Sequence, residues 1–97
     1  MEDSQCCRYV RRYSYIHRLQ PEHTVVYEVK ITPSGAMFRI SRMQAGIESA
    51  VNCLCGGMDL SAARRLTQYL YENGVDPDGC LDVLQDLGIP YAAVETV

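Results

Sequence analysis

Three aspartates, Asp78, Asp82 and Asp86, recur every four residues in DPDGCLDVLQDLG (76–88). Carboxylates in series can chelate a cation, move protons or meet a basic surface. Asp76, Asp78 and Gly79 touch on the calcium-loop pattern, which needs acids at alternate positions, glycine sixth and glutamate twelfth. Counting from Asp76, the fifth position is Cys80, the sixth Leu81 and the twelfth Leu87, so the pattern fails at all three. At 100° per residue the three aspartates span about 80° of a helix. Cys80, Val83, Leu84 and Leu87 centre almost opposite them, which makes the acids an outward face. Glu72 lies upstream in the same base-free stretch, which runs to Asp86. The reading is a docking surface for a basic partner, formed by Glu72, Asp78, Asp82 and Asp86.

Thiols are the second candidate chemistry. Cys6 and Cys7 are adjacent, Cys53 and Cys55 are one residue apart, and Cys80 stands alone. Structural zinc usually takes two Cys-x2–4-Cys pairs, so the spacing is a weak metal signal. Cys6, Cys7, Cys53 and Cys55 could converge if the first and fourth strands were neighbours. Otherwise Cys53 and Cys80 serve as small buried hydrophobes. No metal and no cofactor is expected. Catalysis has little to stand on. His17 and His23 flank one connection, and Cys7 lies ten residues from His17, about 30 Å along a strand, too far for proton transfer. No nucleophile elbow, phosphate loop or zinc-protease motif occurs, and the expectation is a non-enzyme.

Arginine and tyrosine form the third set. CRYVRRYSYI (7–16) alternates, with Tyr9, Arg11, Tyr13 and Tyr15 on one side and Arg8, Val10, Arg12 and Ile16 on the other. Arg39 and Arg42 come from a later strand. Such residues on an open sheet stack bases and hold phosphates, or serve as protein-binding hot spots. The bland alternative is a solvated face whose arginines cover tyrosine rings. Net charge is −3, which disfavours polyanions, so protein contact ranks ahead of nucleic acid. Residues 1–48 hold seven bases against five acids, and 49–97 hold two against seven.

The elements that must carry these residues are legible in part. Strands are expected over about 7–16, 24–31 and 36–43. TPSG (32–35) reads as a tight turn. Residues 47–55 fit both helical and strand spacing, with strand preferred. Helices are expected at about 60–73, capped by Asp59 or Ser61 and closed by Gly74, and at about 77–87, with Asp76 as cap, Pro77 first and Gly88 last. The apolar stripe of the first is read as Ala63, Leu66 and Tyr69 or Leu70. The tail 89–97 reads as a short extended segment, and residues 1–6 as flexible. The fold class is α+β: an antiparallel meander of three to four strands, then two short helices on one face, in one domain. The start, MEDSQCC, is acidic and lacks an apolar run, so no secretory leader is expected, and no stretch is apolar enough to span a bilayer. The odd cysteine count argues for free thiols, and the expected compartment is the cytoplasm.

The tyrosine-rich first strand, VYEV in the second, Asp59–Leu60–Ser61 opening a helix, and Pro77 with Leu81, Asp82, Val83 and Asp86 resemble a family of small uncharacterised clostridial proteins. The likeness covers residues 9–87, with IESAVNCLCGG longer here than in the family pattern. The family carries no assigned biochemical role, so the resemblance implies this fold and a bacterial origin. The functional expectation is a small interaction or regulatory protein with a two-signed surface that binds a protein partner or a second copy of itself. A phage or mobile-element inhibitor of a nucleic-acid-binding defence enzyme is the first alternative. A single-stranded nucleic-acid binder using Tyr9, Arg11, Tyr13 and Tyr15 is the second.

Overall fold

The computed structural model describes residues 6–94. The expected flexible stretch 1–6 therefore lies outside the described residues, except for Cys6, whose backbone opens the first strand. The elements are β1 (Cys6–Tyr13), β2 (His23–Thr32), β3 (Gly35–Gln44), β4 (Ile47–Gly56), α1 (Leu60–Glu72), α2 (Pro77–Asp86) and β5 (Ala92–Val94). The strands form one antiparallel sheet in chain order, β1-β2-β3-β4-β5. Helix α1 packs on β1 and β2, and α2 on β3 and β4. The expected α+β meander with two helices is what the chain forms. The ambiguous segment is strand β4, and the extended tail contributes a short fifth strand.

Period two builds the core. Val25, Tyr27 and Val29 of β2, Ala36, Phe38 and Ile40 of β3, and Cys53 and Cys55 of β4 point to the helices and are buried. Ala63, Leu66 and Leu70 of α1 and Cys80 and Leu84 of α2 close over them. Tyr69, one of the two residues read into the α1 stripe, is exposed, and Leu70 takes the inward place.

The turns fix the register. Thr32 pairs with Gly35 across Pro33–Ser34. Gly35 has φ +137°, and a Cβ there would overlap the Cys55 carbonyl oxygen and lie 2.8 Å from Gly56 Cα, so only glycine fits. Ala45 (φ 54°) and Gly46 (φ 77°) join β3 to β4 in a tight turn with both central residues left-handed. Asp59 caps α1, its Oδ1 accepting from the Ala62 N–H at 2.9 Å. Both helices end in the same six-to-one closure: Val75 N–H donates to Leu70 O at 3.0 Å, and Ile89 N–H to Leu84 O at 2.9 Å. Asp76 stands at the N-cap of α2 but makes no side-chain capping bond there. Its carboxylate instead meets Arg42 Nη1 at 3.4 Å.

Candidate functional site

Antiparallel pairing puts the outward residues of the sheet into rows. Arg8, Glu28, Arg39 and Asn52 stand opposite one another across four strands, followed by Val94. Beside them run Val10, Val26, Ser41 and Ala50, then Arg12, Thr24, Met43 and Glu48. On the other flank Lys30, Met37 and Leu54 line up with Ala92. Both helices lie on the opposite side, and no described element covers these rows. The charged row Arg8–Glu28–Arg39 runs between two apolar patches, Met37 with Leu54 on one side and Val10 with Val26 on the other. Arg8, Arg12, Lys30 and Arg39 outnumber Glu28 and Glu48. Arg8 Nε meets Glu28 Oε2 at 3.4 Å and Arg39 Nη2 meets Glu48 Oε2 at 3.1 Å, both solvent-exposed pairs.

The arginines and tyrosines read from the sequence as one surface are divided between the two sides. Arg8, Arg12 and Arg39 are on the open face. Tyr9, Arg11 and Tyr13 are on the covered one, which corrects the expected open Tyr/Arg face. The alternation was right, but α1 packs on the aromatic side. The Tyr9 and Tyr71 rings lie 5.2 Å apart. Arg11 Nη1 donates to Tyr71 O at 3.0 Å and, less tightly, to Glu72 O, the last carbonyls of α1. Its guanidinium also lies over the rings of Tyr13 and Tyr71, at 5.3 and 6.0 Å. Arg42 shares Arg11's row across the sheet, and it grips Asp76 at the start of α2. These two arginines fasten the ends of the helices. Tyr15 leaves the sheet altogether: β1 stops at Tyr13, and Ile16 and Gln20 close a small turn. Tyr15 is 64% and Leu19 81% exposed there.

Tyr27 sits deepest in the aromatic cluster. Among the described residues its hydroxyl is buried without a hydrogen-bond partner. Burial, then the neighbouring Tyr13 and Asp76, push its phenol well above the ordinary tyrosine range. Both histidines are engaged locally. His23 stacks on Tyr13 at 4.3 Å with Nδ1 facing Pro21 O, and His17 Nδ1 lies 3.2 Å from the Tyr15 hydroxyl.

The thiols gather differently from the expected set. β2 and β3 stand between β1 and β4, so Cys7 and Cys53 are roughly 14 Å apart at three strand spacings. Convergence of Cys7 with Cys53 and Cys55 is thereby ruled out; the Cys6 side chain lies outside the described residues. Cys80 of α2 joins Cys53 and Cys55 instead, all three buried and free. The Cys55 thiol is raised by donating to Cys53 and by burial. Cys53 is pushed up to about 12: the bond from Cys55 opposes the shift, but donation to Cys80 and burial outweigh it. Cys80 is lowered because it accepts from Cys53. Among the described residues, no group of three or more His, Cys, Asp or Glu is arranged to hold a metal ion.

The aspartate stripe is where the helical count puts it. Asp78, Asp82 and Asp86 are exposed on α2, while Pro77, Cys80 and Leu84 are buried beneath. Glu72 belongs to α1 and accepts from Gln68 Nε2 at 2.9 Å, so it is no member of that row. Sequence reasoning singled out the arginines of this face but not the apolar residues beside them. Val10, Val26, Met37, Met43 and Leu54 are all outward positions of the strand alternation, and Val10 had already been assigned to the side of Arg8 and Arg12. No described helix is long and apolar enough to cross a membrane. Compared with known proteins, the chain matches no family model, no curated protein and no solved structure.

Proposed function

We propose that the chain is a small non-enzymatic binding module that meets a protein partner on its uncovered sheet face. One observation carries the reading: Val10, Val26, Met37, Met43 and Leu54 project from the side of the sheet opposite the helices, interleaved with Arg8, Arg12, Lys30 and Arg39. Exposed apolar side chains interleaved with arginine are what protein interfaces are enriched in, methionine and arginine among them. Four long strands at their usual spacing present roughly 600 Å². A partner covering that area would bury about 1,200 Å² in all, the lower end of specific complexes. The same face weakens the single-stranded nucleic-acid reading, because its rows hold no aromatic side chain to stack on a base.

Val26→Glu with Met43→Glu tests the proposal. Both side chains point away from the core, so the fold should survive. Affinity capture from the native host, read by mass spectrometry, should lose its partner with the double variant. A partner retained at full yield overturns the reading.

The aspartate stripe favours a second reading, in which α2 presents carboxylates to a basic surface, as an inhibitor of a nucleic-acid-binding enzyme would. Asp78, Asp82 and Asp86 have no ion-pair partner among the described residues. Reversing all three to lysine should then abolish capture while the double glutamate variant leaves it intact.

A further inference from the structure

The open face is not uniform. At the end nearer the Thr32–Gly35 turn, Arg8, Glu28, Lys30, Met37, Arg39 and Asn52 line a depression of about 360 Å³. Met37 lies between Lys30 and Leu54 in its row and supplies an apolar floor. Three cations and one carboxylate surround it. Lys30 is exposed and has no ion-pair partner among the described residues. The Arg8–Glu28 and Arg39–Glu48 pairs are exposed and 3.4 and 3.1 Å long, the kind that contributes little and exchanges readily for a partner's carboxylates.

We infer that this depression receives an apolar side chain from an acidic segment of the partner. The anchor sits on Met37, and flanking carboxylates pair with Arg8, Lys30 and Arg39. The inference rests on the sheet face being the protein-binding surface. An apolar floor calls for a side chain rather than a bare anion, and the excess of cations selects its acidic neighbours. A nucleic acid fits less well, since nothing aromatic lines the site to stack on a base. A second copy offers carboxylates but no anchor, which leaves it a weak contact that salt removes. The outward stripe of α2 is flanked by Gly79 and Gln85, and no large apolar side chain shares its arc of about 80°.

The test titrates the full isotope-labelled chain with short synthetic peptides: alternating Asp and Glu around one central leucine, the same peptide with serine for leucine, and a lysine version. An oligothymidine strand is the fourth probe. Support is amide shifts gathered at Arg8, Lys30, Met37 and Arg39 with the acidic leucine peptide. Affinity should fall about tenfold or more with Lys30→Glu or Arg39→Glu, with serine for leucine, or with added salt. Both positions are at the surface, and an unchanged circular dichroism spectrum confirms that each variant folds. Equal binding of the lysine peptide, or tighter binding of oligothymidine at the same amides, overturns the inference. So do shifts confined to Val10, Val26 and Met43, or no binding at all. In these last two cases the sheet-face reading survives if Val26→Glu with Met43→Glu still abolishes partner capture, and it falls with the inference if it does not.

Discussion

Arg11 shows how far residue type alone leads. Read along the strand, it is a cation among tyrosines, a candidate for binding. Folded, it spends that charge on the last carbonyls of α1 and on the rings of Tyr13 and Tyr71. A helix C-terminus is electronegative, and a charge-assisted bond to it stabilises more than an exposed ion pair. Arg11→Met should therefore cost about 1–2 kcal/mol in urea unfolding, while Arg12→Met, on the open face, should stay within about 0.5 kcal/mol. Equal costs would mean that Arg11 is not a fastener. Tyr27 makes a second residue-scale case. Its hydroxyl is buried without a hydrogen-bond partner among the described residues, so Tyr27→Phe should leave neutral-pH stability unchanged or slightly higher. Its pH signature follows from the raised phenol. Above about pH 10 the unfolded chain releases the tyrosine proton while the folded chain keeps it, so stability falls as pH rises. Cys53, also raised, acts with the same sign. Unfolding free energies compared at neutral and strongly alkaline pH should show a smaller drop for Tyr27→Phe than for the parent, and an equal drop would show that the phenol is not responsible.

At the scale of elements, legibility followed the strength of the local signal. Both helices were readable because each carries its own punctuation: Asp59 and Gly74 for α1, Pro77 and Gly88 for α2. Their ends fall within a residue of the expected ones. The β3–β4 connection was not readable, since its left-handed turn is Ala45–Gly46 rather than the Asn-Gly or Asp-Gly that announces such turns. Alanine at φ 54° is strained, so Ala45→Gly or Ala45→Asn should stabilise the hairpin by roughly 0.5–1 kcal/mol. Loss of stability in both would argue against a left-handed residue there. β5 was legible only as an extended tail, because Ala92–Val94 is too short to show a period. The candidate site divided in the same way. Alternation correctly sorted the two sides of β1, but which side the helices would take depends on the whole core, and the larger aromatic residues went under α1. In α2, like charges four residues apart repel. Asp82→Lys converts two repulsive neighbours into attractive ones and should raise the melting temperature. The same change should weaken capture of a basic partner if the stripe is a dock, so stability and binding would move in opposite directions.

At the scale of the molecule, charge is separated across the two layers. The open sheet face carries Arg8, Arg12, Lys30 and Arg39 against Glu28 and Glu48. The helix layer carries Asp78, Asp82 and Asp86 on α2 on its far side. Arg8, Arg12, Lys30 and Arg39 thus stand opposite the α2 acids, while Arg11 and Arg42 are tied to the helices and Arg64 and Arg65 lie exposed on α1. This geometry limits self-association. A closed two-fold dimer pairs one patch with itself, which would bring basic against basic or acidic against acidic. Pairing the basic face with the acidic one is a front-to-back contact that leaves a free face at each end and continues without closing. Opposite faces attract over about 10 Å at 0.1 M salt and over longer distances in dilute buffer. Sedimentation at low ionic strength should therefore show a mean mass that climbs with concentration and passes that of a dimer without a plateau, returning to monomer in about 0.3 M salt, where screening is within a few ångströms. Asp78→Lys with Asp82→Lys and Asp86→Lys should remove the growth by taking away one of the two faces, and Lys30→Glu with Arg39→Glu should remove it by taking away the other. A salt-resistant plateau at the dimer would place self-association on the apolar rows Val10–Val26 and Met37–Leu54 instead, in competition with any protein partner for that face.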